Sequence, residues 1–133
     1  FYGVDAHCFS GGVEVTAFNE RAVKSIVRIG FQVTSIGAGN PKYKILHSEK
    51  AAPIHAFSKL YNDETSPKEN FSAIMTCSHA DENCPFIPGT EVRIPVRYED
   101  PKAYDDTKLE EAKYDERSLQ IASEMFYVFS KIK

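Results

Sequence analysis

Two cysteines, Cys77 and Cys84, are the residues of this chain best suited to chemistry. They are separated by the mainly polar residues 78–83 (SHADEN), and Cys77 ends the mostly apolar run 71–77 (FSAIMTC). Such a run is typical of a buried central strand. Catalytic groups in open α/β sheets collect at the carboxyl ends of strands, so Cys77 is a candidate catalytic residue.

The spacing of the two cysteines restricts how they can react with each other. If residues 78–83 are helical, the two Cα atoms lie about 10 Å apart along the helix axis, whereas a disulfide needs them within ~7 Å. A bond between Cys77 and Cys84 therefore requires the segment between them to rearrange. A relay that passes a disulfide to an external reductant would use such a rearrangement, and a static structural bridge would not.

Spacing alone leaves two other interpretations of these cysteines open. Both could be buried free cysteines, which the spacing by itself favours. Cys77, His79 and Cys84 could instead bind zinc, but zinc-binding cysteine pairs usually lie two to four residues apart and no fourth ligand is obvious. We therefore expect no metal site, and we assign no chemistry to the four histidines, which show no paired arrangement.

Length and composition predict one ordinary globular domain over residues 1–133. The chain is 42% hydrophobic and 26% charged, and its formal net charge of -3 gives no basic field that would attract nucleic acid. No apolar run approaches the ~18 residues that span a bilayer, and residues 1–9 (FYGVDAHCF) lack a signal-peptide pattern. Three cysteines are too few for a secreted disulfide scaffold, so a reducing compartment, the cytoplasm, is expected.

Hydrophobic periodicity predicts the elements that would hold these residues. Asn19 is a good N-cap for a helix over residues 20–29, and Gly30 suits the position after that helix. Two adjacent apolar rows over residues 114–131 predict a core helix that covers a sheet face. The other expected elements are strands at 2–9, 31–34, 43–46, 56–60, 71–77 and 92–98, a turn at 37–41 and a polar loop at 62–70. This order predicts a layered α/β sheet that lacks a first βα unit, with Pro95 moving its strand to the sheet edge.

The segment around the cysteines resembles a family motif. Residues 76–85 (TCSHADENCP) resemble the Cys-Ser-Asp-Ala-Asp-x-x-Cys-Pro segment of thioredoxin-coupled arsenate reductases, which belong to the low-molecular-weight tyrosine-phosphatase superfamily. His79 departs from that pattern at a position expected to face solvent. Asp100 precedes a proline, as in the family's loop over the active site. Residues 10–14 (SGGVE), followed by Asn19, resemble the family's strand-to-helix turn.

The resemblance implies a three-layer open parallel sheet of the low-molecular-weight phosphatase type whose N-terminal βα unit is missing. It extends over nearly the whole chain and is weakest over residues 37–70. In the family, a loop after the first strand binds the oxyanion and carries a nucleophilic Cys-x5-Arg. Cys8 does not fit, because Glu14 stands where the arginine would be, so Cys8 is expected to be a core or edge cysteine. The nucleophile is then expected upstream of Phe1, and this chain alone is expected to be inactive.

The resemblance also implies a reaction, arsenate reduction in arsenic resistance, and a role for each residue. The upstream cysteine attacks arsenate while Asp100 protonates the leaving oxygen as general acid. Cys77 attacks the adduct and releases arsenite, and Cys84 then attacks Cys77 to give a redox-active disulfide that thioredoxin reduces. The implied partners are arsenate or a phosphate-like oxyanion and thioredoxin, with no cofactor and no membrane.

Two alternatives compete with this reaction. A low-molecular-weight protein tyrosine phosphatase would use the same upstream loop and Asp100 but would not need Cys77 or Cys84. A non-catalytic remnant of the fold would use none of them. Asp105 and Asp106 lie close to Asp100 in the chain and are expected to cap a helix that begins near Thr107.

Overall fold

The computed structural model of the chain describes residues 2–76 and 86–132. It is of the α/β class, as predicted, but the described strands do not form one open parallel sheet. A three-stranded antiparallel sheet has the order β1-β2-β3, and β4 and β5 form a separate parallel pair. The elements in chain order are helix α1 (Glu20–Arg28), strands β1 (Gln32–Ile36), β2 (Lys42–Leu46), β3 (Ile54–Ala56), β4 (Phe71–Met75) and β5 (Thr90–Pro95), a 3-10 helix (Pro101–Tyr104) and helix α2 (Glu110–Lys131).

The chain divides into two compact units, each made of segments that are discontinuous in sequence. The first unit consists of Phe1–Cys8, Thr16–Ser58 and Pro101–Lys133, and it contains the two described α-helices and the antiparallel sheet. The second unit consists of Phe9–Val15 and Lys59–Asp100, and it contains the parallel pair.

Helix α1 follows its sequence signals to within one residue. The Asn19 side chain accepts a hydrogen bond from the backbone N–H of Arg21 at 2.9 Å, which satisfies a donor that the helix itself leaves unpaired. After the helix, Gly30 has a φ of 103° and donates to Val27, while Phe31 donates to Ile26. These two bonds form a Schellman motif, in which glycine supplies the left-handed residue that ends the helix.

The antiparallel sheet buries alternate residues of its central strand. Tyr43 and Ile45 of β2 are buried, and Tyr43 packs edge-on against the ring of Phe18 at a centroid distance of 5.6 Å. The predicted pairing of strands at 43–46 and 56–60 is partly right, because Ala56 lies opposite Tyr43. Strand β3 nevertheless ends at Ala56. The Asn40 side chain bonds both the N–H and the C=O of Ser58, so this backbone is satisfied without a strand partner.

The parallel pair has a small apolar core on one side. Ala73 and Met75 of β4 are buried together with Ile87, and Tyr61 and Phe71 pack against them. Strand β4 agrees with the predicted run from residue 71. Strand β5 begins two residues before the predicted one and ends at Pro95, which lies opposite Met75.

The predictions for the two ends of the chain were less accurate. No strand forms over residues 2–9 as far as the structure describes them. Helix α2 begins at Glu110, one turn earlier than predicted. Its apolar residues were predicted to lie in the core, but most of them are not buried. Only Tyr114 of this helix is buried, while Phe126 is 54% exposed.

Candidate functional site

The carboxyl end of the parallel pair is the best-defined position for chemistry in the second unit. Beyond the last paired residues of the strands, the N–H of Val96 donates to the C=O of Met75 at 2.9 Å. The N–H of Tyr98 then donates to the C=O of Thr76 at 3.1 Å. Between these two bonds the chain advances by two residues after β5, from Val96 to Tyr98, but by only one after β4, from Met75 to Thr76. The segment that leads to Cys77 and the segment that leads to Asp100 are therefore bonded to each other where the strands end.

Asp100 lies two residues beyond Tyr98, and it is exposed. It directly precedes Pro101, the first residue of the 3-10 helix. A proline restricts the residue before it to extended backbone angles, so the chain cannot enter a helix at Asp100 itself. Asp100 therefore lies just after the end of a parallel strand, where α/β proteins commonly place the residues of a site.

The two cysteines of the predicted relay, Cys77 and Cys84, lie outside the described residues, as does His79 of the zinc alternative. Cys8 is described, and the expectation of a core or edge cysteine is wrong for it. The Cys8 thiol is free and exposed, in a segment that forms no strand.

Residues 10–14, which resemble a family turn, approach the chain at residues 59–61 within the second unit. Gly12 forms a parallel bridge with Leu60, donating to the C=O of Lys59 and accepting from the N–H of Tyr61, both at 2.9 Å. A Cβ atom on Gly11 would lie 2.5 Å from the Cα atom of Tyr61. Only glycine fits this approach, and the neighbouring Tyr61 side chain packs on the core of the parallel pair.

A charged network in the first unit was not predicted from the sequence. Arg21 of α1 donates from Nε to Glu110 Oε2 at 2.7 Å and from Nη2 to Asp106 Oδ1 at 2.7 Å, and its Nη1 lies 3.5 Å from Asp105 Oδ2. The Tyr114 hydroxyl donates to Asp105 at 2.9 Å and accepts from the side chain of Asn19 at 3.0 Å. The two aspartates therefore bind α1 and Tyr114, and the prediction that they cap a helix was wrong. The first turn of α2 has no side-chain cap.

The hydrogen bonds of this network shift the pKa values of its members. The bond from Arg21, together with one from the N–H of Asp106, lowers the pKa of Glu110. The same bond to Glu110 raises the pKa of Arg21. These shifts favour the charged form of both side chains and indicate a structural ion pair rather than a group that exchanges protons near neutral pH.

A second set of polar contacts joins the same two helices further along. Arg28 binds Asp115 through two nitrogen atoms, with Nη2 to Oδ1 at 2.7 Å and Nε to Oδ2 at 2.9 Å. These bonds lower the pKa of Asp115 and raise that of Arg28. Between the two arginines, Ser25 is fully buried and shares a hydrogen bond of 3.0 Å with Ser118.

The described residues offer no clear second site for catalysis or metal binding. A groove of about 270 Å³ between residues 2–4 and the last turns of α2 is lined by apolar and aromatic side chains, without a carboxylate, thiol or imidazole. Among residues 2–76 and 86–132, no group of three or more His, Cys, Asp or Glu side chains could hold a metal ion. Neither helix in the described part of the chain is long and apolar enough to cross a membrane.

Comparisons of the chain with models of protein families, with characterised proteins and with solved structures gave no match.

Proposed function

We propose that this chain carries the thiol-relay part of an arsenate reductase, with Cys77 and Cys84 as the relay cysteines and Asp100 as the general acid. An upstream loop supplies the oxyanion site and the nucleophilic cysteine. The protein works in the cytoplasm, where thioredoxin keeps the relay reduced.

One observation supports this proposal above the others: the backbone bond between Tyr98 and Thr76 at the end of the parallel pair. Cys77 is one peptide bond beyond Thr76, and Asp100 is two residues beyond Tyr98. Residues that follow parallel strands at their shared carboxyl end are the usual source of an active site in α/β proteins. The thiol and the carboxylate that the resemblance assigns to one reaction thus follow two chain segments that are hydrogen-bonded to each other.

In the proposed reaction, electrons and protons balance over three thiol steps. The upstream thiolate displaces an oxygen from arsenic(V), and Asp100 protonates that oxygen so that it leaves as water. The Cys77 thiolate attacks the sulfur bonded to arsenic, the sulfur–arsenic electron pair passes to arsenic, and arsenite leaves as arsenic(III). Cys84 then attacks Cys77 and frees the upstream thiolate, and the dithiol of thioredoxin reduces the resulting disulfide.

Oxidation of the chain with diamide tests the relay directly. Trypsin releases residues 69–93 as one peptide that contains both Cys77 and Cys84, whereas Cys8 falls in residues 1–21. We expect the 69–93 peptide to lose two hydrogen atoms on oxidation and to become resistant to alkylation, and to regain both thiols with thioredoxin. Cys8→Ser is the matched control, because it removes the exposed thiol without touching the relay. Oxidised chain in which this peptide still carries two free thiols would refute the relay.

An activity assay of the protein that includes the proposed upstream loop distinguishes the reductase from the phosphatase alternative. We expect Cys84→Ser to stop repeated turnover with arsenate and thioredoxin while a single equivalent of arsenite is still released, because only the last thiol step is lost. A phosphatase would keep its steady-state rate in the same variant. Arsenate reduction by the 133-residue chain alone would show that the nucleophile is not upstream.

A further inference from the structure

The antiparallel sheet presents an outer face that is positively charged. Tyr43 and Ile45 point to the buried side of β2, so the alternate residues Lys42 and Lys44 lie on the opposite, exposed side. The strand register places His55 directly across from Lys44, Thr34 on its other side, and Ile36 across from Lys42. We call these five residues the basic face. Its two lysines lie about 7 Å apart along the strand.

Within residues 2–76 and 86–132, no carboxylate pairs with the charges of the basic face. No Asp or Glu occurs in β1, β2 or β3. Neither lysine nor His55 forms an ion pair with another described residue, and Lys42 Nζ lies 5.4 Å from the centroid of the Phe57 ring. By contrast, the arginines that join α1 and α2 are each bound by carboxylates. Among the described residues of the first unit, the sheet face therefore carries positive charge that no carboxylate of the three strands pairs.

The basic face also carries apolar surface. Ile36 is 84% exposed, next to Lys42 in the strand register. An isolated exposed lysine is normally just solvated, but here an exposed isoleucine lies directly across from Lys42 and diagonal to Lys44 on the same face of the sheet. A face of this composition suits a partner that brings both carboxylates and an apolar side chain.

We propose that the basic face binds an acidic segment of a partner protein, with Lys42 and Lys44 pairing its carboxylates and Ile36 contacting an apolar side chain. Charge complementarity and the absence of carboxylates from the three strands favour such a partner. A protein is favoured over nucleic acid because the exposed Ile36 offers an apolar contact that a partner side chain can use and a phosphate backbone cannot. This proposal does not depend on the relay chemistry.

The test is an NMR titration of the isotope-labelled chain with an acidic peptide of about ten residues, in which glutamate and serine surround one central leucine, at ~0.15 M salt. We expect saturable amide shifts confined to β1, β2 and β3, and none with a peptide that has glutamine in place of glutamate. Lys44→Glu should weaken binding by ~10-fold or more, since it replaces an attraction by a repulsion. The neutral Lys44→Thr keeps a strand-forming residue and should weaken binding less than Lys44→Glu.

The matched control is Lys108→Glu, which makes the same charge change at an exposed lysine outside the sheet. It should leave the affinity within ~2-fold of the unaltered chain, because the effect depends on position and not on net charge. Equal weakening by both charge reversals, or the absence of saturable shifts in the sheet, would overturn the proposal. Tighter binding of single-stranded DNA than of the peptide at the same residues would also overturn it, in favour of a nucleic-acid surface.

Discussion

The parallel strand pair of the second unit and the helix pair of the first unit are held by different kinds of contact. Around the strand pair, backbone approaches backbone. A Cβ atom on Gly89 would lie 1.8 Å from the carbonyl oxygen of Lys68. Between α1 and α2, polar side chains bind across the gap, and the side chains of Arg28 and Asp115 are 32% and 43% exposed.

This difference sets how each region responds to change. A backbone contact leaves no room for any side chain and is insensitive to pH and salt. A partly exposed ion pair contributes less, and it weakens with acid and with ionic strength. The residues proposed for catalysis are attached to the strand pair, so their framework is the region that solution conditions change least.

Gly89→Ala should have the largest effect on the strand pair. The added Cβ atom overlaps the Lys68 carbonyl, and the φ of 81° at this position already disfavours any residue except glycine. We expect a loss of more than about 3 kcal/mol in the free energy of unfolding, measured by urea denaturation followed by circular dichroism.

Gly39→Ala measures the cost of a positive φ alone, without the steric overlap that a Cβ atom causes at Gly89. Gly39 has a similar φ of 75°, but a Cβ atom there would meet nothing within 4 Å. The expected loss is only the cost of a left-handed residue, about 1–2 kcal/mol. If the two substitutions cost the same, close backbone approach is not what stabilises the strand pair.

Tyr114→Phe should have the next largest effect, on the helix pair. Tyr114 is 4% exposed, and its hydroxyl joins Asp105 to Asn19. Its removal leaves two polar groups without this partner, which should lower the free energy of unfolding by about 1–3 kcal/mol. Tyr127→Phe, at a 64% exposed position of the same helix, should change it by less than about 0.5 kcal/mol. A comparable loss in both variants would show that the hydrogen bonds of the buried Tyr114 hydroxyl do not stabilise the helix pair.

Local signals in the sequence were enough to predict α1, because its cap and its end involve neighbouring residues. Asn19 bonds Arg21, and Gly30 closes the last turn. The apolar run that begins at Phe71 likewise predicted β4, since residues with this pattern favour a strand in most settings.

Contacts between residues distant in sequence could not be predicted in this way. Arg21 and Asp106 are 85 positions apart, and nothing near either residue indicates the other. The two aspartates after Tyr104 match the pattern of helix caps, but a distant arginine competes for them. Of the predicted site residues, the structure describes Asp100 alone, and its role stays a prediction that comes from the resemblance. The roles of Cys77 and Cys84 remain predictions.

Lowering the pH should have the smallest effect on the free energy of unfolding, and it should weaken the ion pairs between α1 and α2. The pKa values of Glu110 and Asp115 are lowered in the folded chain by their arginine partners. Between the lowered folded-state pKa values and the ordinary carboxyl pKa, the folded state therefore binds fewer protons than the unfolded state. The stabilisation from these pairs is complete above the ordinary carboxyl pKa of about 4, and it is lost as the pH falls through the lower folded-state values.

Asp115→Asn isolates this contribution. The variant should be less stable than the unaltered chain near neutral pH, by no more than about 1 kcal/mol because the pair is partly solvated. Its stability should then fall less steeply below about pH 4, since it has one carboxyl fewer to protonate. Asp5→Asn, at an exposed position in the same unit, should leave both the neutral stability and the acid slope unchanged. If Asp115→Asn leaves the acid slope unchanged too, the ion pairs between α1 and α2 do not make the helix pair sensitive to pH, and the contrast with the strand pair rests on steric contact alone.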